Sequence, residues 1–181
     1  SSVTVPKLSA PIKVDTANIQ VGDAALINVT LPDNATGDMT IEIDGKVYTP
    51  YEFKDGVARF KVENLTSGVK TVVVKYSGDD NYTDAFDTAN FTVSKRKSSI
   101  DVTVNATTVG NDVIINVTIP SNATGYVIVK VDGQNYSINT TGGVGSVRIS
   151  GLGNATHSVS VTYLGDEQYM PSTGGAEFSL D

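Results

Sequence analysis

The chain has 181 residues, a formal net charge of −7, a sequence pI near 4.6 and no cysteine, so it can hold neither a disulfide nor a thiolate-bound metal. An acidic surface repels the phosphate backbone, which excludes nonspecific nucleic-acid binding; the one basic run is Lys95-Arg96-Lys97. No apolar run approaches the ~20 residues a membrane helix needs and the first residues lack a signal peptide's apolar region, so export or anchoring segments are expected outside this stretch.

Taken in order, Val3-Thr4-Val5-Pro6-Lys7 shifts by 88 positions onto Phe91-Thr92-Val93-Ser94-Lys95. Residues 1–10 are therefore expected to be the last strand of a preceding repeat plus a linker, with the chain cut from a longer tandem array. Ile12 to Val14 predicts a first strand. Ile27 to Leu31 alternates apolar and polar residues, the period of a strand with one buried face. From Ile27 to Thr49 the chain reads INVTLPDNATGDMTIEIDGKVYT, and from Ile115 to Ser137 it reads INVTIPSNATGYVIVKVDGQNYS. A single unit is present twice, and repeats of this kind serve reach and repetition.

Met39, Ile41 and Ile43 are expected inside, followed by the hairpin signal Asp44-Gly45, which Asp132-Gly133 repeats. Val57 to Val62 predicts the next strand, with Val144 to Ile149 in the second copy. Thr71 to Tyr76 follows, with Val72, Val74 and Tyr76 inward because they match Val159, Val161 and Tyr163; Val73 becomes Ser160 and points out. Phe91 and Val93, matched by Phe178 and Leu180, close each unit. About seven short antiparallel strands per unit, with no helical window, predict an all-β chain of two tandem two-sheet sandwiches, residues 11–94 and 95–181.

The words N-V-T-[LI]-P-x-N-A-T-G, D-G-x-x-Y and Y-x-G-D-x-x-Y recur in both units. They resemble the immunoglobulin-like (Ig-like) repeats of bacterial and archaeal cell-surface proteins, most closely the adhesin-like proteins of methanogenic archaea. The resemblance implies Ig-like β-sandwich domains, an extracellular, cell-surface or cell-wall location, and noncatalytic service as stalk or spacer in cell attachment. Its expected partners are neighbouring repeats of the same chain and surface proteins or glycans of another cell, with no membrane contact by this segment. Cysteine and tryptophan, found in better-known Ig domains, are absent, so the core must rest on aliphatic, Tyr and Phe packing.

Asn-x-Ser/Thr triplets begin at Asn28, Asn34, Asn64, Asn81, Asn90, Asn105, Asn116, Asn122, Asn135, Asn139 and Asn154, eleven of the 13 asparagines and more than chance placement gives. Such triplets accept N-linked glycans on exported proteins. Residues i and i+2 share a strand face, so Asn28 with Thr30, Asn90 with Thr92 and Asn116 with Thr118 are expected to look outward while Val29, Phe91 and Val117 look in. Turn and strand-face chemistry alone also favours Asn and Thr. Dense N-glycosylation is the expectation.

No catalytic, cofactor or metal site is expected. His157, the only histidine, is matched by Lys70, a swap that suits an exposed strand start and not a general base. Gly78-Asp79-Asp80 and Gly165-Asp166-Glu167 read as tyrosine-framed turns in preference to calcium sites, since two neighbouring acids fall short of a calcium ligand set. Lys95, Arg96 and Lys97 are expected to meet Asp166 and Glu167, with Lys7 facing Asp79 and Asp80. A Lys13–Asn90 isopeptide bond is disfavoured because the counterparts, Asp101 and Glu177, cannot couple. The alternative to a spacer is a carbohydrate-binding module of a secreted enzyme, for which Tyr51, Tyr126 and Phe86, aromatics without an aromatic counterpart, are the leads.

Overall fold

The computed structural model describes residues 6–106 and 112–181 and contains strands and turns only. The strand proposed for Val3 to Val5 lies outside the described residues. The chain divides into two compact units, Ser1–Ser94 and Lys95–Asp181.

In the first unit β1 (Lys13–Asp15), β3 (Ala25–Thr30), β7 (Val57–Val62) and β6 (Glu52–Lys54) form one sheet in the order β1-β3-β7-β6. The facing sheet has the order β2-β9-β8-β4-β5, from β2 (Ile19–Gln20), β9 (Ala85–Ser94), β8 (Gly68–Tyr76), β4 (Met39–Ile43) and β5 (Lys46–Tyr48). The second unit sets β10 (Asp101–Ala106), β11 (Val113–Thr118) and β14 (Val144–Ile149) against β13-β12-β15-β16, which are Gln134–Asn139, Tyr126–Val131, Thr156–Tyr163 and Ser172–Ser179. Each unit is an Ig-like β-sandwich.

Alternation builds both cores. Ile27, Val29, Ile41, Val72, Val74, Tyr76 and Phe91 are buried in the first, and Ile115, Val117, Val129, Val159, Val161 and Tyr163 in the second. Phe178, on the edge strand of its sheet, is only half-buried, its ring stacked on His157 with centroids 5.3 Å apart. Both Asp-Gly turns form as expected: Asp44 and Gly45 have φ of 52° and 79°, Asp132 and Gly133 of 51° and 82°.

The first unit departs from the expected seven antiparallel strands. After β1 the chain crosses to the other sheet, where β2 runs parallel to β9 with Ile19 opposite Val93. Polar side chains hold the crossing: Thr16 Oγ1 donates to the Asn90 carbonyl (3.3 Å) and the Thr92 N–H to Asn18 Oδ1 (2.8 Å). A further divergence follows Tyr48. Pro50 sits where Ile138 stands in the second copy, and Ile138 pairs with Val127 and is buried. Proline has no N–H for the ladder, so β5 stops and the chain crosses to make β6 on the other sheet. Without that proline, β13 continues along β12 through Asn139.

Candidate functional site

The repeated words N-A-T-G and Y-x-G-D-x-x-Y meet at one end of each sandwich. Pro32 ends β3, and the Ala35 N–H donates to the Pro32 carbonyl (2.9 Å), folding Asn34 to Gly37 into a tight loop. Asp79, three residues past β8, reaches that loop. Its Oδ2 accepts from the Thr36 N–H (2.8 Å) and hydroxyl (3.3 Å), and its Oδ1 from the N–H groups of Asn81 (2.8 Å) and Tyr82 (2.7 Å). The Tyr76 hydroxyl donates to the Thr36 carbonyl, and the Tyr82 hydroxyl to Asn34 Oδ1 at 2.9 Å. Gly37 takes a φ of 102°, and a Cβ there would overlap the Gly78 carbonyl oxygen. Only glycine fits both demands.

The second copy repeats the clamp atom for atom. Asp166 takes the Thr124 N–H (2.8 Å) and hydroxyl (3.1 Å) on Oδ2 and the N–H groups of Gln168 (2.8 Å) and Tyr169 (2.7 Å) on Oδ1. Tyr163 donates to the Thr124 carbonyl (2.7 Å) and Tyr169 to Asn122 Oδ1 (2.6 Å). These contacts fix the charge states. The Thr36 N–H, with those of Asn81 and Tyr82, holds the Asp79 carboxyl down from 3.8 to about 2 despite partial desolvation. Burial pushes Tyr76 and Tyr163 up to about 12, helped by the neighbouring carboxylates. None of these groups changes protonation near neutral pH, so the cluster is suited to holding loops and not to moving protons. N–H and O–H donors already occupy both Asp79 oxygens, the geometry of a turn.

The clamp also seats the entering chain. The Leu8 N–H donates to the Asn81 carbonyl (2.9 Å) and the Thr83 N–H to the Leu8 carbonyl (2.9 Å). In the second unit Arg96 N–H donates to the Gln168 carbonyl (2.7 Å), Met170 N–H to the Arg96 carbonyl (2.8 Å), and Ser98 Oγ to the Met170 carbonyl (3.0 Å). Backbone hydrogen bonds do this seating in both units. Lys7, Lys95 and Lys97 form no ion pair with Asp79, Asp80, Asp166 or Glu167 among the described residues. The carboxylates of Asp79 and Asp166 are turned inward to the clamp.

Lys70 and His157 overturn a second expectation, since both are buried, each only 6% exposed. Lys70 Nζ donates to Asp44 Oδ2 (2.7 Å) and Thr66 Oγ1 (2.8 Å), opposite Phe91 on β9. His157 Nδ1 is 2.6 Å from Asp132 Oδ2 and Nε2 is 2.8 Å from the Gly153 carbonyl oxygen. Both ring nitrogens face oxygen acceptors, an arrangement that favours the protonated ring. Each unit thus ties its hairpin aspartate to a buried basic side chain near the start of β8 or β15.

The Gly153 carbonyl first, and the Asp132 carboxylate with it, raise the His157 pKa above 6.5 against the cost of burial. A raised pKa gives stability that is complete below pH 6.5 and is lost as pH rises through the folded-state value. Melting of residues 95–181 should therefore fall in temperature as pH climbs above neutrality, and His157→Lys, the first unit's own choice, should flatten that slope. A wild-type melting temperature level across this range would contradict the pairing.

The asparagines of the triplets fall into three groups. Asn64, Asn81, Asn90, Asn105, Asn135, Asn139 and Asn154 are exposed, Asn64 with a φ of 62°, while Thr107 of the Asn105 triplet lies outside the described residues. Asn28 and Asn116 are half-buried in strands that are paired on both sides. Asn34 and Asn122 are exposed but belong to the clamp, where both Asn and Thr have a structural use. Sequence reasoning missed that use, although the signal was present: N-x-T-G and Y-x-G-D-x-x-Y are kept together in both copies. Lys13 has a side chain 77% exposed, 4.0 Å from Asp15, and Asn90 faces out, so the two do not approach as an isopeptide bond needs. Tyr51, Phe86 and Tyr126 are all exposed.

No curated protein has a sequence that matches this chain. Among solved structures it is similar to the fibronectin(III)-like modules of Clostridium thermocellum CbhA, at 13% identity over 94% of each chain with a TM-score of 0.40. A chimeric titin Z1Z2 is 17% identical over 98% of this chain and 99% of its own, with a TM-score of 0.38. The β-glucuronidase of Parabacteroides merdae is 11% identical over 96% of this chain with a TM-score of 0.36, and the chain spans 25% of its length. Residues 12–94, the first sandwich from its first strand to its last, match the family model described as bacterial Ig-like domain, group 3.

Proposed function

We propose that the two sandwiches are a noncatalytic stretch of a large cell-surface adhesin, of the kind found in methanogenic archaea, serving as a spacer that carries a binding region away from the cell wall. The observation that carries this reading is the duplicated clamp. The same six-residue network recurs in both copies, binds the incoming chain through its backbone, and occupies its ionisable groups in holding loops. A unit designed this way can be strung in series, so that length grows with copy number. Its neighbours are further repeats, and surface proteins or glycans of another cell are what the array would approach.

The exposed asparagines outside the clamp would carry N-linked glycans in the native host, shielding edges from proteolysis and strand pairing. Removing residues 11–181 from the parent protein should shorten its reach, read as cell-to-target distance, while its isolated binding region keeps its affinity. Loss of affinity in that isolated region, or a parent protein confined to the cytoplasm, would contradict the spacer role. Mass spectrometry of host-derived protein should find hexose-bearing peptides at one or more exposed triplets. Bare asparagine at all of them would reject the glycan proposal.

A further inference from the structure

Both units carry a groove over the N-A-T-G loop, and the two grooves differ in chemistry. The first, about 420 Å³, is lined by Asp33, Asp55 and Phe53 beside the loop itself. The second, about 510 Å³, replaces that acidic rim with Ser121, Tyr126, Asn139 and Thr140 and has no charged side chain in its lining. Tyr126, 55% exposed, and Asn139 stand opposite each other on β12 and β13, so a flat aromatic ring lies beside an exposed amide. Asp38 occupies the Tyr126 position in the first copy, so the ring is not required by the fold.

An independent observation marks the same place. The Thr140 hydroxyl is buried and has no hydrogen-bond partner among the described residues. An unpaired buried hydroxyl is a cost that natural proteins avoid, and Thr140 is one of the residues lining this groove.

We propose that the groove at Tyr126 in the second unit binds a neutral saccharide, one pyranose ring packing its C–H face on the Tyr126 ring while its hydroxyls bond Asn139 and Thr140. The uncharged lining disfavours phosphorylated and carboxylated ligands within an otherwise acidic chain. A ring face flanked by amide and hydroxyl groups matches a polyol with one apolar face, the mixed lining expected of a small-ligand site. The first unit, with carboxylates at the rim and no ring at Asp38, lacks the site. The inference is independent of the spacer reading, since a spacer needs no such groove.

The test uses the whole chain made in bacteria, hence without glycans, against immobilised neutral oligosaccharides of hexose and N-acetylhexosamine. Binding to at least one family of these is expected, with amide shifts at Tyr126, Asn139 and Thr140. Tyr126→Ala should weaken it by about tenfold or more, while Tyr126→Phe, which keeps the ring, should stay within about threefold. Thr140→Val should weaken it as well, and Tyr51→Ala in the first unit should change nothing. Absence of any Tyr126-dependent binding across the panel, or binding equally lost with Tyr51→Ala, would overturn the assignment.

Discussion

Phe60→Ala should destabilise residues 1–94 by about 3–5 kcal/mol and leave residues 95–181 unchanged. Phe60 lies in the middle of β7, opposite Ile27, and is among the largest fully buried side chains. Truncation removes a ring from a close-packed interior that cannot collapse around the void, because strands on both sides fix the backbone. Against the 5–15 kcal/mol of an ordinary domain, the first unit becomes marginal. Its core shares no residue with that of the second. Amide resonances followed through a thermal melt should show the first set lost early and the second at its wild-type temperature. Parallel loss of both sets would refute separate cores.

Asp166→Ala should be the most damaging single change within the second clamp. It strips the carboxylate from three backbone N–H groups and one hydroxyl, and Tyr169 then holds Asn122 without its frame. Because the site is largely screened by water, we expect about 1–2 kcal/mol, or a fall in Tm of roughly 5–15 °C. Asp166→Asn should recover only part: an amide can present oxygen to Thr124 or to the Gln168 and Tyr169 pair, but not to both. Calorimetry that finds either variant as stable as wild type would remove the clamp from the account.

Acid should act on the same network. The Asp79 carboxyl, held down to about 2 chiefly by the Thr36 N–H, contributes stability that is complete above 3.8 and disappears as pH falls toward 2. For Asp166 burial pulls the other way, but the N–H groups of Thr124, Tyr169 and Gln168 prevail and keep it below the ordinary carboxyl range. Both units are therefore expected to loosen on the acid side of that window.

The sandwich was legible because alternation is a strict geometric rule: Val29, Val74 and Val117 could face the core only if their neighbours faced water, and so they do. The same rule already placed Lys70 inward, two residues before Val72. Lys70 is buried there and paired with the hairpin aspartate Asp44, not exposed as a strand start would have it. Pro50 against Ile138 was visible too, and explains why one copy ends β5 early and the other extends β13. The parallel pairing of β2 was not legible, since two residues cannot establish a period. The clamp lay hidden behind its own motif: Asn and Thr two apart spell a glycan acceptor, and nothing local reveals that two tyrosines and an aspartate some 45 residues later use both side chains.

Pulling the chain from its two ends in a single-molecule force experiment tests most directly whether each repeat is a self-contained bead. The account predicts two separate unfolding events per molecule, each releasing roughly 30 nm of contour for a unit of this length. A single event that frees the whole chain at once would contradict it.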